Sequence, residues 1–262
     1  MQPIRYPYGT DPSQFADLYL PVGPVRGVAV VIHGGYWRAQ YDASLNRPLA
    51  EDLAARGVAA WNVEYRRAGN GGGWPETFDD VAAGIDRLAD AAAAHGLRLD
   101  SVVAVGHSAG GHLAVWAAGR NRLPEGAPGR IDSLGRNQAG LPAVPLAAVV
   151  SQSGVLDLVQ ARELRLSDDA VRNLLGASPE ADPDRYALAD PMDRLPLDVP
   201  VYAVQADGDT AVPGSVSAAY VRAAVAAGSR AELIAVPGGH MDLIDPATEA
   251  WAVCRDLVLA SL

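Results

Sequence analysis

The chain has 262 residues, 49% of them hydrophobic, enough for a sizeable core and too apolar for a disordered polypeptide. A formal charge of -10 and a pI near 4.9 argue against nucleic acid or an anionic membrane as partner, since both require basic patches. All 21 basic residues are arginine, which excludes a Schiff-base lysine, a pyridoxal-phosphate lysine, a P-loop lysine and a Ser-Lys dyad.

A lone cysteine, Cys254, permits neither an intramolecular disulfide nor a cysteine-based zinc site, and its apolar-periodic setting reads as a buried small hydrophobe. The N-terminal stretch lacks the apolar core of a signal peptide, and no run approaches membrane-spanning length. The expectation is a cytoplasmic protein acting on a small molecule.

In chain order, Ile4 to Tyr8 and Leu18 to Leu20 suggest a short antiparallel opening. Apolar, β-branched runs then recur at Val25 to His33, Val58 to Tyr65, Ser101 to His107, Leu146 to Ser153, Val199 to Ala206 and Ala231 to Val236. Helical spacing lies between them, at Asp42 to Arg56, Pro75 to Ala94, Ser108 to Gly119, Gly214 to Ala227 and Pro246 to Leu262. Strands that are nearly all apolar are covered on both faces, and their alternation with helices predicts a mostly parallel α/β sheet with right-handed crossovers. Residues 155 to 197 break the rhythm with Asp, Arg, Leu and Pro, two short helical runs and no strong strand. They read as a small cap over the sheet edge within one domain spanning 1 to 262. Gly71 to Gly73 is followed by Trp74-Pro75 rather than Lys-Ser/Thr, so it reads as a turn before a helix.

The strongest motif is Gly106-His-Ser108-Ala-Gly110, where a β run ends and a helical run begins. That is the strand-turn-helix setting of a G-x-S-x-G nucleophile elbow, with Ser108 at its tip. A second motif, His33-Gly34-Gly35-Tyr36-Trp37, directly follows an apolar strand and bares backbone N–H groups. Tetrahedral acyl-transfer intermediates need two such donors; Gly34 or Gly35 would supply one and Ala109 the other. His33 itself reads as a loop anchor.

The base is chosen by elimination among five histidines. His95 sits at a helix end and reads as solvated, His107 points away from the nucleophile within the elbow, and His112 packs one turn into the helix. His240, in the loop after the last strand run, fits the chain order serine, acid, histidine. The acid belongs to Gln205-Ala-Asp207-Gly-Asp209-Thr-Ala-Val-Pro213. Asp209 is preferred over Asp207, which would cap the loop's own backbone.

Taken together, His33-Gly-Gly-Tyr-Trp37, Gly106-His-Ser-Ala-Gly-Gly-His-Leu113, Ser153-Gly-Val-Leu-Asp-Leu158, Asp209-x-x-Val-Pro213 and His240-Met-Asp-Leu-Ile-Asp245 resemble the kynurenine formamidase (arylformamidase) branch of the α/β-hydrolases. The resemblance runs from about Tyr8 to the C-terminus. It implies hydrolysis of N-formylkynurenine to kynurenine and formate without metal or organic cofactor. Ser108, Asp209 and His240 would be the triad, and Gly34, Gly35 and Ala109 the oxyanion site. Asp190-Pro191 departs from it, since relatives carry serine before that proline. Tyr36 and Trp37 could face an aromatic leaving group or simply pack, and Arg38, Arg66 and Arg67 are candidates to hold an anionic tail. A carboxylesterase for short acyl esters is the competing enzyme reading, and a catalytically silent binding protein the competing reading of another class.

Overall fold

The computed structural model describes residues 2–262. Its strands are β1 (Ile4–Pro7), β2 (Phe15–Tyr19), β3 (Gly27–Ile32), β4 (Val58–Val63), β5 (Val102–His107), β6 (Ala148–Gln152), β7 (Val201–Ala206) and β8 (Ala231–Val236). They form one sheet in the order β1-β2-β4-β3-β5-β6-β7-β8. The β1-β2 and β2-β4 pairs are antiparallel; every other pair is parallel. This is the mostly parallel α/β sheet expected from the apolar runs.

The helices are α1 (Arg47–Ala55), α2 (Glu76–Asp86), α3 (Leu88–His95), α4 (Ala109–Ala118), α5 (Leu158–Glu163), α6 (Leu166–Leu175), α7 (Pro183–Ala189), α8 (Gly214–Ala226) and α9 (Glu249–Ala260). Strand side chains alternate in direction, so one apolar run feeds two cores. Val28, Val30, Ile32, Val102 and Ala104 join α2, α3, α4 and α8 in the larger core. Ala29, Val31, Val103 and Val105 join α1 and α9 in the other, where Cys254 is fully buried. No helix among the described residues is long and apolar enough to cross a membrane.

Several boundaries depart from the sequence pattern. β2 begins at Phe15 rather than Leu18, because Asp17, which interrupts the apolar alternation, is held by two 2.8 Å hydrogen bonds from the Arg5 guanidinium on β1. The run from Asp42 opens as a 3-10 turn, Ala43–Asn46, and becomes α-helical only at Arg47, with Pro48 in the first turn, where its missing N–H costs nothing. The run from Pro75 divides at Arg87 into α2 and α3. Beside that break, the buried Asp86 carboxylate accepts from Arg120 at 3.1 and 2.7 Å and from Asn137 at 3.1 Å, anchoring the irregular stretch after α4. Between β6 and β7 the chain forms three α-helices and a 3-10 turn, Pro191–Arg194, where two short helical runs were expected.

The topology positions the candidate site. The chain leaves β3 for β4 on one side and returns to β5 on the other, so the loops after β3 and β5 diverge at a topological switch point. Ligands of open α/β sheets bind in that crevice, beyond the carboxyl ends of the strands.

Candidate active site

Ser108 follows β5 and immediately precedes α4, at φ 56° and ψ -117°, a conformation that costs a side-chain-bearing residue energy. The tightness of the turn explains its glycines. A Cβ on Gly106 would stand 2.2 Å from the Gly110 carbonyl oxygen, and one on Gly110 would stand 2.1 Å from that of Ile32. With both Cβ atoms absent, α4 packs directly against the ends of β3 and β5. The turn is fixed by Ser108 N–H donating to the Gln152 carbonyl at 2.8 Å and Val155 N–H donating to the Ser108 carbonyl at 3.3 Å. Ala109 is the first residue of α4, so its N–H belongs to the unpaired helix N-terminus.

The loop after β3 lies against this elbow. A Cβ on Gly34 would come 3.1 Å from the Ser108 Cβ, whereas Gly35, at φ 107°, turns toward the Tyr41 side chain. His33 anchors the loop as anticipated: its ring stacks on Tyr65 at 4.3 Å, Nδ1 lies 2.8 Å from the Gly34 carbonyl, and Nε2 lies 3.2 Å from Glu64. Tyr65 donates its hydroxyl proton to the His33 carbonyl at 2.7 Å. Glu64 is buried and also accepts from the backbone of Ala43 and Tyr65 and from Arg67.

Asp209 and His240 meet over the ends of β7 and β8. His240 Nδ1 lies 2.7 Å from Asp209 Oδ2. The other carboxylate oxygen accepts from Ala211 N–H at 2.8 Å and Val212 N–H at 2.9 Å. Asp209 therefore performs the loop capping expected of Asp207, which is exposed. Burial works to raise the Asp209 pKa, but the hydrogen bond to His240, the Val212 N–H, the His240 charge and the Ser153 hydroxyl outweigh it and bring it to about 2. The residue is thus an anion throughout the neutral range. His240 opens a 3-10 turn, His240–Ile244, held by Asp242 accepting from Gly239 N–H at 2.6 Å and by Gln152 donating to the Leu243 carbonyl at 2.5 Å. The His240 ring lies beside that of His107, the residue before Ser108, with centroids 4.4 Å apart.

Other sequence expectations meet different surroundings. His95 is not simply solvated; it is half-buried and bonded to the Tyr6 hydroxyl at 2.7 Å. His112 is buried among Trp37 and Phe78 and donates from Nε2 to the Ala189 carbonyl at 3.0 Å. Trp37 is 1% exposed and edge-on to His112, so it packs rather than offering a face to substrate. Arg66 is committed to Asp80 by two 2.8 Å bonds, and Arg67 is buried against Glu64, so neither guanidinium is free to grip an anionic tail. Tyr36 is half-buried, and Arg38, 6.0 Å over its ring, donates to the Ser167 carbonyl at the start of α6.

Two residues that head motifs quoted above without a role of their own, Ser153 and Gln205, support the acid. Ser153, buried at φ 45° after β6, interacts with Asp209 and accepts from Ala206 N–H at 3.4 Å. Gln205 donates to the Val212 carbonyl at 3.1 Å and accepts from Ser217 at 2.8 Å, bracing the acid loop from below. Neither carries a local pattern that marks its contact with the acid loop; their partners come from other parts of the chain or from the folded loop.

A tight elbow on β5, a glycine loop on β3 and a carboxylate-bound imidazole beyond β7 and β8 define the class of esterase-like α/β-hydrolases. The chain belongs to the BD-FAE family, whose model matches residues 16–223. Among solved structures, a truncated carbohydrate esterase from gut microbiota is 25% identical with a TM-score of 0.78, covering 98% of this chain and 94% of that one. Esterase 2 of Thermogutta terrifontis with propionate bound is 22% identical with a TM-score of 0.73, over 97% of this chain and 91% of its own, and supports the fold alone. A rice protein (Oryza sativa subsp. japonica) named probable isoprenylcysteine alpha-carbonyl methylesterase ICME is 31% identical over 112 residues, 42% of this chain. The match spans only 27% of that curated relative's length. These similarities favour esterases; the kynurenine formamidase branch is not among them.

Proposed function

We propose that the protein is a carboxylesterase acting on short acyl esters, with Ser108 as nucleophile, His240 as general base and Asp209 as the group that orients it. The observation that carries this reading is the 2.7 Å contact between His240 Nδ1 and Asp209, on the strand edge that presents Ser108. With Nδ1 donating to the carboxylate, Nε2 is the ring atom left to take the Ser108 proton as its oxygen attacks the acyl carbonyl. Backbone N–H groups of Ala109 and of the Gly34-Gly35 loop hold the oxyanion. His240 then protonates the departing alcohol, and a water activated by the same ring releases the acid and restores Ser108. The helices between β6 and β7 serve as a cap, reaching the site through the Arg38 contact to Ser167.

The resemblance to a carbohydrate esterase along nearly the whole chain supports a sugar hydroxyl as the leaving alcohol. N-formylkynurenine is the competing substrate. Arg66 and Arg67 are committed to Asp80 and Glu64, and Arg38 already donates to the Ser167 carbonyl, which weighs against a grip on that substrate's amino-acid tail. Measuring kcat/KM for p-nitrophenyl acetate, an acetylated xylose and N-formylkynurenine separates the readings. The proposal expects both esters to outpace the formamide, and a faster formamide overturns it.

A further inference from the structure

We infer that His107 is a positioning residue for the general base, fastening the backbone of His240 so that its imidazole keeps its place against Asp209. The inference rests on the triad reading above and adds a residue that the reading does not use. His107 Nε2 lies 3.0 Å from the His240 carbonyl oxygen. A carbonyl only accepts, so Nε2 carries the proton and donates it, leaving Nδ1 with a lone pair. That nitrogen faces the other half of the site, since a Cβ on Gly34 would stand 3.1 Å from it. One ring thus touches both the base loop and the oxyanion loop, while its own backbone leads directly into Ser108.

The arrangement suits a group that must hold position without taking a charge. Burial, with the nearby His240 charge second, pushes the His107 pKa down to about 3, so the ring stays neutral while His240 cycles through its cation. Its ring lies tilted against that of His240, with centroids 4.4 Å apart, and limits how far that ring can swing. The approach Pro237-Gly-Gly is itself pinned, by Gly239 N–H donating to Asp242 at 2.6 Å and Gly208 N–H donating to the Gly238 carbonyl at 2.9 Å, and the bond from His107 extends that hold to His240 itself.

The test compares His107→Phe, which keeps the packing and removes the donor, with His107→Gln, whose amide nitrogen can reach the same carbonyl. With p-nitrophenyl acetate, H107F should lower kcat about tenfold or more while KM stays within about twofold, because misplacing a base by a fraction of an ångström acts on the chemical step. H107Q should return kcat to within about threefold of the wild type. Wild-type kcat in H107F, or equal loss in both variants, overturns the inference. Should H107F fail to fold by thermal melting, His107→Met replaces it under the same outcomes. Full activity in Ser108→Ala would instead overturn the triad reading, whatever the His107 variants do.

Discussion

His240 Nδ1 and Asp209 Oδ2 lie 2.7 Å apart, and with Nδ1 donating to the carboxylate, Nε2 is the nitrogen left for the proposed base. Asp209→Asn can keep the shape but lets the ring adopt the wrong tautomer, with its proton on the nitrogen meant to accept. Steady-state kinetics should show kcat lower by roughly 10³–10⁴-fold with KM little changed.

Asp209 also links stability to acid pH. Its folded pKa of about 2 lies below the ordinary carboxylate value, so the unfolded chain takes up its proton first. Its contribution is therefore complete above about pH 4 and is lost as pH falls toward 2. Melting temperatures across that window should fall more steeply for the wild type than for D209N.

Asp190 works in the opposite direction. Burial, offset in part by N–H bonds from Met192 and Leu158, raises its pKa to about 7. The folded protein then holds a proton that the unfolded chain releases between about pH 4 and 7, so this group lowers stability as pH rises through that range. Asp190→Asn should flatten that part of the melting-temperature profile. A serine at this position, expected from the formamidase resemblance, would titrate nothing.

Glu64 should prove structural and severe. In Glu64→Gln the buried Arg67 loses its anionic partner, and His33 exchanges a carboxylate for a neutral amide. Loss of one member of a buried pair costs about 3–5 kcal/mol, which urea denaturation would register directly.

Gly110→Ala tests the elbow. The added methyl would stand 2.1 Å from the Ile32 carbonyl oxygen, a backbone atom that cannot rotate away. A destabilisation of about 1–3 kcal/mol, with activity falling alongside, is expected from thermal melting and ester turnover.

The parts of this molecule that were legible in the sequence are those set by local pattern. The six apolar runs became β3 to β8, and Ser108, Asp209 and His240 stood at strand ends that a parallel sheet brings to one edge. What stayed hidden depends on partners far along the chain. Asp17 joins a strand because Arg5 meets it, and the break at Arg87 adjoins an ion pair between Asp86 and Arg120. Arg66 and Arg67 looked free until Asp80 and Glu64 came into view beside them. Trp37, too, sits in an exposed-looking loop motif, yet it is sealed against His112, a residue of α4.

Covalent labelling reads out whether Ser108 is a nucleophile activated by His240. A fluorophosphonate should modify the wild-type chain at a single site, located by mass spectrometry on the peptide containing Ser108. The label should vanish in Ser108→Ala and slow markedly in His240→Ala. A wild-type protein that stays unmodified, or labelling that persists at full rate in S108A, would rule out Ser108 as the nucleophile.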